Sequence, residues 1–416
     1  MLNKLDLSKV ATGDLPSSLP RPSVDVMKPH QVVSEIIAKV RSDGDGALIK
    51  YAEEFDGGAP NSLHISETEI ESAWESISSE LREALEDAGS RIWAFHQNQI
   101  RDPETTENGG ITIETKQQPV RRAGCYVPGG RAAYPSTLLM TAIPAKVAGV
   151  EEVVVCVPPD ASGFVNIATL AAAKVAGVSS VYAVGGAQAI AAMAYGTETI
   201  RPVDVIVGPG NIYVATAQRQ VSGDVGIASA FAGPSEIVVI ADGSATARYA
   251  AIDLIVQAEH GPDGLSWLIS WEPETIDAIL SELEDMVSIS DRKEMIASTF
   301  NTGGYAVLVE GPNQAMDVAN LVAPEHLQLM VAETEPLLDL LQNAGAVFLG
   351  DMSPASVGDY IAGPSHVLPT HGSARFSGVL TVDDFCKDIH IIALEDAAIE
   401  EIGQSVVELA EAEGLS

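Results

Sequence analysis

A glutamate and a histidine stand side by side in Ala323-Pro324-Glu325-His326-Leu327. Imidazole is the side chain best suited to moving protons near neutral pH, and neutral imidazole is also a common metal ligand. The pair reads as a general base with a carboxylate able to activate water. Pro324 marks a turn and an expected helix start. Adjacent side chains diverge on regular backbone, so both can face one substrate only if the chain turns between them. A structural histidine beside a surface glutamate is the plain alternative.

Two further clusters carry similar chemistry. Gly358-Asp359-Tyr360 and Gly363-Pro364-Ser365-His366 place a carboxylate and an imidazole around a Gly-Pro turn. In Gln257-Ala258-Glu259-His260 the amide and the imidazole are at i,i+3, on one face of an expected helix. Carboxylate, amide oxygen and imidazole together would suit Zn2+, although glutamine is an unusual ligand. A lone histidine at a helix end is more often structural, and spacing alone leaves both readings open.

Three glycine-rich loops follow expected strands. They are Tyr126-Val127-Pro128-Gly129-Gly130-Arg131, Gly185-Gly186-Ala187-Gln188 and Gly208-Pro209-Gly210-Asn211. Backbone N–H groups and amide side chains at helix N-termini suit phosphates and ribose hydroxyls. Tight βα turns need glycine anyway and none of these is a G-x-G-x-x-G, but three in one half favour nucleotide binding.

These residues need a scaffold, and the chain encodes one. Val147-Ala148-Gly149-Val150-x-x-Val153 recurs as Val175-Ala176-Gly177-Val178-x-x-Val181. Each copy reads as a helix ending on glycine, with a strand two residues on. Buried strands are expected at Glu151–Pro158, Val203–Val207 and Ile237–Ile240, then at Trp267–Ser270, Tyr305–Val309 and Ala346–Leu349. Helices are expected at 187–195, 211–221 and 245–260. Strands alternating with helices mean parallel sheets covered on both faces, here as two units. Earlier, residues 31–55 read as one helix. Ser66-x-x-Glu69 is a capping box opening a long helix to about residue 99. Residues 111–119 alternate as a strand, and the tail after Thr381 is mixed, then helical and acidic.

Length and composition agree. A chain of 416 residues exceeds one ordinary core, and 46% apolar residues suffice for two. A net charge of −35 argues against nucleic acid and anionic membranes as partners, and reads as a solvated acidic surface. Three widely spaced cysteines without a CxxC suggest neither disulfides nor a thiolate zinc site. With no signal-peptide pattern and no membrane span, a reducing cytoplasm is expected.

Taken in order, these motifs resemble the histidinol dehydrogenase family from about residue 30 onward. The most specific segments are Tyr126–Arg131 with Ser136-Thr137-x-Leu139-Met140, Gly185–Ala189, Gly208–Asn211, Ala232-Gly233-Pro234-Ser235-Glu236, Gln257–His260, Pro324–His326 and Gly358–Pro369. The resemblance implies oxidation of L-histidinol to the aldehyde and on to L-histidine, with NAD and one zinc. It implies NAD contacts at Tyr126, Gln188 and Asn211, and zinc ligands at Gln257, His260 and Asp359. Substrate contacts would be Ser235, His366 and Glu413, besides Gln257, His260, His326 and Asp359. His326 would be the general base, and Glu325 would activate the hydrolytic water. The implied fold is two related, incomplete Rossmann-like domains, one inserted in the other. Residues 1–22 would form an N-terminal arm, 23–128 with 237–378 the first domain, 129–236 the second, and 379–416 a C-terminal segment, the terminal segments exchanging in a homodimer. The chain departs from the family's usual pattern at Ala228 and Gly261. The family's last zinc ligand, a histidine, would fall beyond Ser416. Two other readings stand beside this one: a relative oxidising another small polar alcohol, such as a sulfonated diol, and a catalytically inactive binding paralogue.

Overall fold

The computed structural model of the protein describes residues 2–20, 27–129, 133–228, 235–259, 261 and 264–415. Two six-stranded sheets organise it. In spatial order the first runs Asn3–Asp6, Gly304–Leu308, Leu265–Ser270, Glu236–Ala241, His326–Met330 and Ala346–Leu349. All its pairings are parallel. The second runs His64–Ile65, Ser180–Ala183, Glu152–Val157, Arg122–Tyr126, Val205–Val207 and Gly226–Ile227. It is parallel except for the His64–Ile65 edge.

Both sheets have one topology. Setting aside the strand added at one edge, Asn3–Asp6 or His64–Ile65, the other five stand in the order 3-2-1-4-5. That is a doubly wound Rossmann sheet lacking its sixth strand. The whole second sheet lies in the chain between Asn3–Asp6 and Glu236–Ala241 of the first sheet, so one unit is inserted in the other.

The domain boundary moves, however. Residues 23–128 were expected with 237–378, yet Arg122–Tyr126 is a central strand of the inserted sheet. It is fully buried there, pairing with Glu152–Val157 on one side and Val205–Val207 on the other. The helices of residues 27–97 cover the same sheet: Met27–Asp43 packs on Gly186–Tyr195, and Ser79–Gln97 on Pro135–Val147. A strand pairs with whatever satisfies its backbone and buries its side chains, not with its nearest neighbour in sequence.

Local chemistry explains the elements. Ser66 and Glu69 form the expected capping box, worth about 1 kcal/mol at the N-cap. The long helix is nevertheless two, Glu67–Ser76 and Ser79–Gln97, because Ser78 caps a second start by accepting from Leu81 N–H. The 31–55 helix likewise breaks at Gly44. The repeated motifs end as expected on left-handed glycines, Gly149 and Gly177. The strand Glu152–Val157 between them is almost wholly buried, each valine contributing roughly 1.5–3 kcal/mol by leaving water.

A third, antiparallel sheet pairs Cys386–Leu394 with Ile111–Pro119, which pairs in turn with Glu104–Asn108. The helix Asp396–Ala412 follows, with Ala398 its buried residue. Among the described residues no helix is long and apolar enough to cross a membrane.

Candidate active site

The Glu325-His326 pair does not open a helix. Ala323 adopts a left-handed turn at φ 52°, and His326 begins the buried strand His326–Met330. That turn lies before the pair and not between its members, yet both side chains are buried. Glu325 Oε2 accepts from Glu236 N–H at 3.0 Å and lies 3.7 Å from His326 Nδ1. His326 is 3% exposed. Its Nδ1 stands 3.3 Å from the Glu236 carbonyl, and its Nε2 stands 3.2 Å from Asp359 Oδ1. Both partners are acceptors, so in this geometry the ring carries both protons, Nδ1–H facing the Glu236 carbonyl and Nε2–H facing Asp359. Burial pulls the His326 imidazole down, but the charges of Glu325 and then Asp359 outweigh it and push it up to about 9.

Asp359 ends on the short helix Ala355–Tyr360. The chain then turns through Gly363-Pro364 to His366, as the spacing predicted. His366 Nδ1 is 2.9 Å from the Asp359 carbonyl, and its Nε2 is 2.8 Å from Thr137 Oγ1. Ser365 Oγ donates to the Met140 carbonyl at 3.0 Å. Thr137 and Met140 lie on Pro135–Val147, a helix of the inserted unit. The site therefore sits where the two units meet.

Gln257 is buried near the end of the helix Ala247–Ala258, which packs against Ala355–Tyr360. Its Nε2 has no hydrogen-bond partner among the described residues. Ser235 immediately precedes the strand that carries Glu236. His260, one of the three expected zinc ligands, lies outside the described residues. Among those described, no group of three or more His, Cys, Asp and Glu side chains is gathered for a metal ion. The donor types fit Zn2+ all the same: a carboxylate oxygen at Asp359 and the amide oxygen of the buried Gln257. Glu413 caps the exposed C-terminal helix, and no contact joins it to the other site residues within the described chain.

Two carboxylates escaped the sequence reading. Glu236 is buried beside Glu325, and burial and then the Glu325 charge push it up to about 8. Asp253 is 4% exposed, and burial pushes it up to about 6 despite the opposing charge of His326. A signal for Asp253 was present: it stands among apolar residues one turn before Gln257, on the same helix face.

Tyr126, Gln188 and Asn211 come together as expected. They line a cleft of ≈ 970 Å³ at the carboxyl ends of the inserted strands, where doubly wound sheets bind ligands. Tyr126 Oη accepts from Gly186 N–H at 3.1 Å. Gly186 has φ +66°, and a Cβ there would stand 2.5 Å from the Gln188 amide, so glycine is required. Gln188 is 1% exposed, and neither amide atom has a partner among the described residues. Asn211 Oδ1 caps the helix Ile212–Val221 through Tyr213 and Val214 N–H. A buried glutamine with both amide atoms unspent, at a helix start, fits a dinucleotide.

Two Rossmann-type units, a cleft at the strand ends of one and an acid–base cluster at their junction define a two-unit dehydrogenase. The profile of the family described as histidinol dehydrogenase matches residues 19–416. The chain is 44% identical over 389 residues to the histidinol dehydrogenase of Prochlorococcus marinus strain MIT 9312, covering 93% of this chain and 88% of that one. It is 47% identical to that of Parasynechococcus marenigrum strain WH8102, covering 92% and 88%. The crystal structure of histidinol dehydrogenase from Elizabethkingia anophelis superposes with a TM-score of 0.94 at 34% identity, covering 100% of this chain and 95% of that one. The chain belongs to the histidinol dehydrogenase family and is an oxidoreductase.

Proposed function

We propose that this enzyme oxidises L-histidinol through L-histidinal to L-histidine, the last step of histidine biosynthesis, with NAD as electron acceptor and one Zn2+ per site. The observation that carries the reading is the cluster of buried Glu325 and His326 with half-buried Asp359 and His366 at the junction of the two units, in a chain of this family. Tyr126, Gln188 and Asn211 would hold NAD, which when bound accepts the electrons of both oxidations. Gln257, His260 and Asp359 would hold zinc, which when bound supplies positive charge beside the alcohol oxygen and offsets the Asp359 carboxylate.

The chain's own residues then act in turn. In its neutral form His326 takes the hydroxyl proton on Nε2, with the ring held by the Glu236 carbonyl. Glu325, anchored by Glu236 N–H, takes a proton from the water that adds to the aldehyde. Ser235 and His366 orient the amino alcohol. Exclusion of bulk water by the buried walls strengthens each of these interactions.

The enzyme is further proposed to work as a homodimer. Ile391, Ile392, Val406 and Leu409 leave apolar surface open on the strand Cys386–Leu394 and the helix after it. A second copy covering that face would bring its Glu413 to the neighbouring site. A cytoplasmic location fits the buried, reduced cysteines Cys125 and Cys156.

His326→Asn tests the assignment of the base. Turnover of histidinol should fall on the order of 10²–10⁴-fold, with NAD binding and melting temperature unchanged. Full turnover in that variant would remove His326 from the mechanism.

A further inference from the structure

The cleft that holds Tyr126 and Gln188 also contains a carboxylate that no part of this reading uses. Asp56 lines it together with Phe55. Its Oδ2 is buried and has no hydrogen-bond partner among the described residues. Burial pushes this carboxyl up to about 6, and no cation is among the causes that shift it. A buried, unpartnered acceptor costs stability, so its persistence in a cleft points to a ligand that supplies donors.

The fold shows which part of the ligand that is. In Rossmann-type sites the acid that grips the adenosine ribose follows the second strand. In the inserted sheet that strand is Glu152–Val157, and the residue in place is Asp160. Asp160 is exposed and already occupied: its Oδ1 accepts from Ser162 N–H at 2.8 Å and Phe164 N–H at 3.1 Å within its own loop. The segment after Asp56 packs tightly on that same loop. A Cβ on Gly58 would stand 2.4 Å from the Ala161 carbonyl oxygen, and one on Gly163 would stand 2.5 Å from that of Ala59. Asp56 thus arrives at the same strand end from another part of the chain, with its Oδ2 unpartnered among the described residues.

We propose that Asp56 is the specificity-determining residue of the dinucleotide cleft. It accepts hydrogen bonds from the adenosine ribose hydroxyls of NAD and excludes the 2′-phosphate of NADP. The cleft's charge supports this, because its described lining contains the carboxylates Asp56 and Asp160 and no lysine, arginine or histidine. A phosphomonoester dianion there would meet like charge without a compensating donor. The proposal rests on the reading of this cleft as the NAD site.

The test is direct binding of NAD+ and of NADP+ to the zinc-loaded enzyme by calorimetry, without turnover. The parent, Asp56→Asn, Asp56→Ser and Gln188→Ala are compared. The parent should prefer NAD+. Both Asp56 variants should bind NAD+ on the order of 10–100-fold more weakly, the range expected for lost charge-assisted hydrogen bonds. NADP+ should bind them as well as, or better than, it binds the parent. If Gln188→Ala weakens NAD+ while both Asp56 variants keep the parent's preference, the cleft reading stands and the role of Asp56 is overturned. If NAD+ fails to bind the parent, or binds Gln188→Ala unchanged, the cleft reading falls and the proposal falls with it.

Discussion

Thr137 Oγ1 lies 2.8 Å from His366 Nε2, and this contact joins the two Rossmann-type units. Thr137 stands in the first turn of Pro135–Val147, just after the glycine loop that lines the dinucleotide cleft. His366 belongs to the segment that also carries Asp359. One hydrogen bond therefore ties the position of a proposed substrate residue to the wall of the proposed cofactor site.

Thr137→Val keeps the shape and removes that bond. His366 would keep its hold on the Asp359 carbonyl but lose its orientation. KM for histidinol should rise by about 10-fold, with kcat changed less and NAD affinity unchanged. Thr137→Ser should restore the parent value. A serine variant as impaired as the valine one would mean that the methyl packing, not the hydroxyl, matters.

Glu325→Gln separates the two oxidations. The first needs proton removal from an alcohol; the second also needs a water. If Glu325 activates that water, the variant should lose more activity with histidinal than in aldehyde formation from histidinol. Equal loss in both steps, measured with each substrate separately, would contradict the role.

Asp56 makes a prediction about stability alone. An aspartate in an unfolded chain titrates near ~3.9, whereas burial holds Asp56 up at about 6. The unfolded chain therefore gives up this proton first as pH rises. The destabilisation is absent below the unfolded value, grows between the two values and is complete above about 6. Asp56→Asn should melt higher than the parent at neutral pH without nucleotide, and the gap should close on acidification. A gap independent of pH would mean that the carboxyl is not the cause.

Much of this architecture could be read from the chain. The two copies of Val-Ala-Gly-Val, each followed by a buried strand, announce βα units because a left-handed glycine and a hydrophobic run are both local requirements. The glycine loops marked the cleft for the same reason. What failed was non-local. Arg122–Tyr126 follows closely on the hairpin strand Ile111–Pro119, and nothing in its own residues says which sheet it joins. Pro324 suggested a helix start, yet the residues after it alternate. Leu327 and Leu329 pack on one face of the strand, with Met330 on the other. The buried polar groups His326 and Gln328 interrupt that apolar pattern. Glu236 and Asp253 looked like ordinary acids because burial, which gives them their altered acidity, belongs to the folded state only.

The stoichiometry of complete oxidation tests the central claim most directly. The zinc-loaded enzyme is given a limiting amount of L-histidinol and excess NAD+, and NADH and the organic product are measured at completion. The account predicts two NADH for each histidinol consumed, with L-histidine as the product. One NADH with accumulated histidinal, or none at all, would contradict it.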